Sequence, residues 1–237
     1  MAALTRLNNK ADTAEFVVVY PEGAQNPSGL KTWNAGFCCG ANANLLNTDD
    51  VGFISRLIDT ITAKYRIDSK RVYATGHSNG AMMCYKLAND LSQKIAAIAP
   101  NAGAFQMRSE YRPQRNVPVI HVNSLSDDKA KYEGGASSNI EFSGLYNKPV
   151  DSCLSVIAAR AGCKPAKQLV NSAPLYSLYR WTDCEGSSMD VLLYLTRDGG
   201  HSWPGGEQGV SLDGDPPSKA FQNNYVIWEF FKRFRLP

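Results

Sequence analysis

Long apolar runs are missing from this chain. None approaches the roughly 18 residues that a membrane-spanning helix needs. The opening stretch, Met1 to Arg6, puts no charged segment ahead of an apolar core, so it does not read as a signal peptide. Charge of one sign is also scarce. The formal net charge is +3 over 237 residues. The densest basic cluster, Lys232, Arg233 and Arg235, closes the last expected helix, where the helix dipole favours cations. Neither nucleic acid nor a membrane is therefore expected as a partner. No internal repeat, low-complexity tract or linker occurs, so residues 1–237 are expected to form one domain, long enough to bury a core without staples. No cysteine spacing resembles a zinc site, and no metal or cofactor is expected.

The six cysteines, at positions 38, 39, 84, 153, 163 and 184, lean towards an oxidising compartment. Cys38 and Cys39 are adjacent and not expected to bond each other. Cys163 ends a helix and Cys184 follows a strand, which makes them candidates to pair. Cys84 is expected as a buried thiol.

Apolar periodicity organises the rest. Residues 1–14 read as a helix with Leu4, Leu7 and Ala11 on one side. The run from Glu15 to Tyr20 reads as a parallel strand buried on both faces. Residues 24–48 form a long loop carrying Trp33. A helix capped by Thr48 or Asp49 runs to about Tyr65, with Ile54, Leu57, Ile58 and Ile61 at one-face spacing. Strands are expected at 71–75, 95–99, 117–122, 175–181 and 189–195. Helices are expected from 81 to about 91, from an Asp151 or Ser152 cap to about Ala161, and after Ser218, the last with Phe221, Tyr225, Trp228 and Phe231 as a core-packing stripe. Alternating strands and helices mean an α/β fold, with a mostly parallel sheet and helices on both faces. In such sheets sites form beyond the C-terminal strand ends. The three long loops, 24–48, 123–150 and 196–217, fall there.

One stretch carries chemistry. Gly76-His77-Ser78-Asn79-Gly80 reads Gly-x-Ser-x-Gly between an expected strand and an expected helix, the setting of a nucleophile elbow. The turn lifts the Ser78 hydroxyl to the helix N-terminus, where the Asn79 backbone N–H can face a developing oxyanion. The alternative is a glycine-bounded turn with an incidental serine. A serine nucleophile needs a base, and the chain has only three histidines. His77 is the elbow's own variable residue and too constrained to swing back. His121 lies within a strand, with no strand-end acid between it and Ser78. His201, in Gly199-Gly200-His201-Ser202-Trp203-Pro204, follows a strand and fits the order serine, acid, histidine. For the acid, Asp127 is favoured over its neighbour Asp128 and over Asp198, three residues from His201. All three also read as loop carboxylates. Trp33 and Trp203, on loops at the expected site, read equally as substrate contacts or as packing, and His77 is a further candidate contact.

WNAGFCCG (33–40), DDVGFISRLID (49–59), RVYATGHSNGAMM (71–83), IAAIAPNAGAF (95–105), the segment from His121 to Gly135, and GGHSWPGG (199–206) resemble the polyhydroxybutyrate depolymerase, feruloyl esterase and acetylxylan esterase group of α/β hydrolases. The group includes carbohydrate esterase family 1, and the resemblance covers nearly the whole chain. It implies an α/β-hydrolase fold, a Ser78–Asp127–His201 triad, a bond between Cys163 and Cys184, and an extracellular location. It also implies a serine esterase acting on feruloyl or acetyl esters of plant polysaccharide, or on short polyesters. Relatives carry an earlier strand whose His-Gly-rich loop gives a second oxyanion donor. This chain starts in the helix that follows. The expectation is either an N-terminally incomplete sequence or a shortened sheet with the hole rebuilt, and with one donor missing a weak or purely binding scaffold is the alternative.

Overall fold

The structure, a computed structural model, describes residues 1–25, 29–38, 47–107, 109–137, 146–186, 189–208 and 214–237. The expected first helix is two: α1 (Ala2–Thr5) and α2 (Leu7–Ala14), broken where Arg6 turns left-handed at φ 50°. Leu4, Leu7 and Ala11 are buried together as the spacing requires. A small antiparallel hairpin, β1 (Ala24–Gln25) with β2 (Lys31–Thr32), interrupts the first long loop.

The expected strand from Glu15 to Tyr20 is not one. Glu15 turns left-handed at φ 55°, and no strand pairs with the rest of the segment among the described residues. Phe16, Val18 and Tyr20 turn inward and the Phe16 ring stacks on Trp228 at 4.5 Å, while Val17 and Val19 face solvent. The physical reason is that an apolar run specifies extended, half-buried backbone but not a ladder partner. Here the partner is the side of the last helix.

Among the described residues the main sheet has six strands. In spatial order they are β3 (Tyr73–His77), β4 (Ala97–Asn101), β5 (Val119–Ser124), β10 (Val191–Thr196), β9 (Tyr176–Trp181) and β8 (Gln168–Ala173). Its pairings are three parallel, from β3 to β10, and two antiparallel, so the sheet is mixed. Strand β8 went unrecognised in the sequence because it is an exposed edge strand: Leu169 and Val170 lie in solvent, so no burial pattern marks it. A second small hairpin joins β6 (Gly135–Ala136) and β7 (Tyr146–Asn147).

Side chains alternate across a strand, so each strand feeds two cores. Ile98, Val119, Val191, Leu193 and Leu195 face one core with Ile54 of α3 (Asp50–Lys64), Met82, Met83 and Tyr85 of α4 (Asn79–Asp90), and Leu154 and Ile157 of α5 (Val150–Arg160). Ala97, Ala99 and Ile120 face the other, with Leu4, Leu7, and Ile227, Phe230 and Phe231 of α6 (Asn223–Phe231). Helices thus cover both faces.

Caps differ from expectation at two helices. Asp49 caps α3 as expected, accepting from the Gly52 N–H at 2.8 Å. At α5 the cap position is Pro149, and Asp151 sits in the first turn, ion-paired with Lys167. At α6 it is Gln222, and Ser218 lies upstream, donating to Asp198 at 2.5 Å. Tyr225, assigned to the core-packing stripe, is 57% exposed, and Phe230 and Phe234 take the buried places. Cys163 and Cys184 form a disulfide. Cys84 is a buried free thiol, its pKa pushed up to about 12 by burial. Cys39 lies outside the described residues.

Candidate active site

Four neighbouring strands deliver four polar residues to the same sheet edge. Ser78 follows β3, Asn101 ends β4, Asp127 lies just past β5 and His201 just past β10. Because β3, β4, β5 and β10 run parallel, their C-terminal ends share one side, and the loops leaving them converge there.

The elbow has the strained backbone that its sequence requires. Ser78 stands at φ 57° and ψ −121°, a region L-residues avoid at a cost of about 1–3 kcal/mol. Close approach explains the glycines: a Cβ on Gly76 would lie 2.4 Å from the Gly80 carbonyl carbon, and one on Gly103 would lie 2.3 Å from the Ser78 carbonyl oxygen. Helix α4 starts at once. Its first N–H, that of Asn79, has no acceptor among the described residues, whereas the N–H groups of Ala81 and Met82 already bond to the Ser78 carbonyl.

The Asn79 side chain is committed elsewhere. Its Oδ1 accepts from the Trp33 N–H at 2.6 Å and its Nδ2 donates to the Trp33 carbonyl at 3.1 Å. Asp50 adds a second tie, accepting from the Asn34 N–H at 2.6 Å; burial raises its pKa. Trp33 and Asn34 are therefore tied to the elbow helix and to α3, with the half-buried Trp33 ring stacked on Phe53 at 6.4 Å.

His201 and Asp127 meet. His201 Nδ1 lies 2.8 Å from Asp127 Oδ2, and both side chains are almost fully buried. The other oxygen of Asp127 accepts from the backbone N–H groups of Lys129 at 3.0 Å and Ala130 at 2.8 Å, which fixes the carboxylate. The rival acids are not brought to the histidine. Asp128 is exposed and pairs with Lys129. Asp198 accepts from Ser218 and from the Lys219 N–H, tying down the loop before α6. Among the described residues no hydrogen bond joins Ser78 to His201; such bonds are commonly long in the absence of substrate.

Two further groups hold the histidine loop. Asp215 accepts from the His201 backbone N–H at 2.7 Å and from Lys129 at 3.0 Å. Burial works against the Lys129 charge, yet Asp128 and Asp215 together raise its pKa. No sequence signal marked Asp215, which stands 14 residues beyond His201. Asn101 had a weak one, a polar residue ending the buried run Ile95–Pro100.

The other candidates separate. The His77 ring lies 4.6 Å from that of His201, and burial, then the His201 charge, hold its pKa well below the usual range. Trp203 is a core residue, 1% exposed, its ring N–H donating to Asn224 at 3.0 Å. Packing, not substrate contact, is the role its burial allows. His121 is likewise internal: Nδ1 meets the Tyr85 hydroxyl at 2.6 Å, Nε2 lies 3.3 Å from Asn123 Oδ1, and burial lowers its pKa to about 4. Among the described residues no cluster of three or more His, Cys, Asp or Glu side chains could hold a metal ion. A cleft lined by Ile58, Lys70, Lys94 and Leu236 among others includes none of the site residues.

The family described as "Esterase PHB depolymerase" matches residues 1–168. The chain belongs to this esterase family. Similar proteins include the bifunctional acetylxylan esterase/xylanase XynS20E of Neocallimastix patriciarum, 36% identical over 129 residues, which are 54% of this chain and 17% of that protein. Feruloyl esterase B of Piromyces equi is 28% identical over 227 residues, 93% of this chain and 37% of its own length. The putative esterase NocK of Nocardia uniformis subsp. tsuyamanensis is 27% identical over 215 residues, 84% of this chain and 60% of its own. The chain thus spans less than two thirds of the length of these relatives. The family match covers Ser78 and Asp127 and stops before His201, so for the histidine the tie to the site is the bond to Asp127.

Proposed function

We propose that the protein is a serine carboxylic-ester hydrolase that works through an acyl-enzyme. The observation that carries this reading is the buried Asp127–His201 pair at 2.8 Å, set beside a serine elbow on the same end of the sheet. Ser78 Oγ attacks the ester carbonyl and its proton passes to His201 Nε2. The Asn79 N–H donates to the oxyanion of the tetrahedral intermediate. The alkoxide leaves with the proton from His201, and water, activated by the same nitrogen, hydrolyses the acyl-enzyme and restores Ser78. Asp127 holds His201 with its proton on Nδ1 and stabilises the imidazolium. The chemistry asks for no cofactor or metal.

For substrate class we propose feruloyl or acetyl esters of plant polysaccharide. The names of the similar proteins support it, as does the pair formed by Trp33 of the loop and Phe53 of α3, a flat apolar wall suited to a cinnamoyl ring or a sugar face. An extracellular location is supported by the Cys163–Cys184 disulfide, and among the described residues no helix is long and apolar enough to cross a membrane. The test compares p-nitrophenyl acetate and methyl ferulate turnover by wild type and by Ser78→Ala. Hydrolysis by wild type alone supports the reading; equal rates overturn it.

A further inference from the structure

The amide of Asn101 touches both halves of the site. Asn101 is 1% exposed and ends β4 directly beside His77 in the β3–β4 register. Its Nδ2 lies 3.0 Å from the Ser202 carbonyl oxygen and 2.8 Å from His77 Nδ1. Its own carbonyl accepts from the Ser78 N–H at 3.0 Å.

Chemistry fixes the protons without their being seen. A backbone carbonyl only accepts, so the atom facing Ser202 must be the amide nitrogen and not the amide oxygen. That nitrogen has a second hydrogen, and it points at His77 Nδ1. An N–H cannot donate to a nitrogen that already carries a proton, so Nδ1 is a lone pair. Neutral His77 then has its proton on Nε2.

We infer that Asn101 is a positioning residue: one amide nitrogen locks His77 as the neutral Nε2–H tautomer and anchors the His201 loop through Ser202, while the Asn101 carbonyl holds the elbow at Ser78. The lock has a purpose in this geometry. Two imidazoles lie 4.6 Å apart at the site, and either could in principle accept the serine proton or donate to Asp127. With its Nδ1 lone pair occupied, His77 has no free basic nitrogen, and His201 is left as the only base. The titratable groups facing His77 are His201, with Asp127 behind it, and more weakly the N-terminal ammonium.

The role in catalysis rests on the esterase reading; the tautomer does not. Long-range 1H–15N spectra of the imidazoles test the latter, and three histidines make assignment by single substitution practical. Wild type is expected to show His77 protonated on Nε2 alone at neutral pH. In Asn101→Asp the carboxylate can only accept, so His77 Nδ1 gains a proton and the Ser202 carbonyl loses its donor. The expected kinetic result is a fall in kcat of about 10²-fold, the scale of a displacement of about 1 Å in the catalytic groups, with KM nearly unchanged. Should Asn101→Asp fail to fold, Asn101→Ala carries the kinetic arm. A wild-type His77 with its proton on Nδ1 overturns the inference, as does a folded variant that keeps kcat within about twofold. Absence of esterase activity in wild type overturns the function proposed above and leaves the tautomer assignment standing.

Discussion

Replacing Asp127 with asparagine changes one atom in a carboxylate whose two oxygens do different work. Oδ1 accepts from two backbone N–H groups, those of Lys129 and Ala130, and Oδ2 accepts from His201 Nδ1. An amide offers one acceptor and one donor, so it must choose. Turning its NH2 towards the loop sets donor against donors and strands two buried N–H groups, at about 1–3 kcal/mol each. Keeping its oxygen on the loop sets the NH2 against His201 Nδ1. The second arrangement costs less. It forces the His201 proton onto Nε2, which is the nitrogen that must accept from Ser78. The base is then blocked in the resting enzyme. Loss of this kind is worth about 10⁴ in kcat, or about 5.5 kcal/mol of transition-state stabilisation. The assay is p-nitrophenyl acetate turnover by Asp127→Asn, with a thermal melt as the folding control. Asp128→Asn, at an exposed residue paired with Lys129, is expected to stay within about threefold of wild type. An Asp127→Asn enzyme within about tenfold of wild type, or an equal loss in Asp128→Asn, would refute the reasoning.

Stability should fall in acid, and His121 should account for part of it. Its folded pKa, about 4, lies below the unfolded value of about 6.5, so the unfolded chain takes up the proton first. Stability present above pH 6.5 is therefore lost as pH falls towards 4, at up to about 1.4 kcal/mol per unit, about 3 kcal/mol in all. The half-buried His77, whose pKa is also lowered, adds a loss of the same sign. Melts across this window should be less pH-dependent for His121→Gln; parallel profiles would contradict the assignment. Removing the disulfide with Cys163→Ala and Cys184→Ala reopens a loop spanning 21 residues and is expected to cost about 3 kcal/mol, read as a Tm lower by about 6–12 °C. An unchanged Tm would show that the bond stabilises nothing. Asp215→Ala removes a charged acceptor from the His201 N–H and from Lys129, and about 1.5–3 kcal/mol of stability is expected to go with it in a denaturant titration.

The elbow was legible because its chemistry is local. Glycines at 76 and 80 bracket Ser78, and the close approach of Gly76 to Gly80 is the reason that spacing exists. His201 was legible through chain order and the scarcity of histidine, which left a short list of acids that the family resemblance narrowed to Asp127; the structure puts Asp127 against His201 and Asp128 and Asp198 elsewhere. What failed was whatever depends on a distant partner. The run from Glu15 to Tyr20 has strand composition, yet its neighbour is an aromatic face of the last helix. Strand β8 has a neighbour in β9 but no buried face to announce it. Trp203 sits in a loop by sequence and in the core by position, because Asn224, 21 residues on, takes its ring N–H. Asn101 and Asp215 act through contacts about 100 and 14 residues away respectively, separations that periodicity and local motif do not encode.

The central claim is that Ser78 is the nucleophile. A fluorophosphonate probe followed by peptide mass spectrometry tests it directly, because the probe bonds covalently only to a serine activated in place. The account predicts one adduct per chain, on the peptide carrying Ser78, and none in Ser78→Ala. No adduct on wild type, or equal labelling of the two proteins, would contradict it.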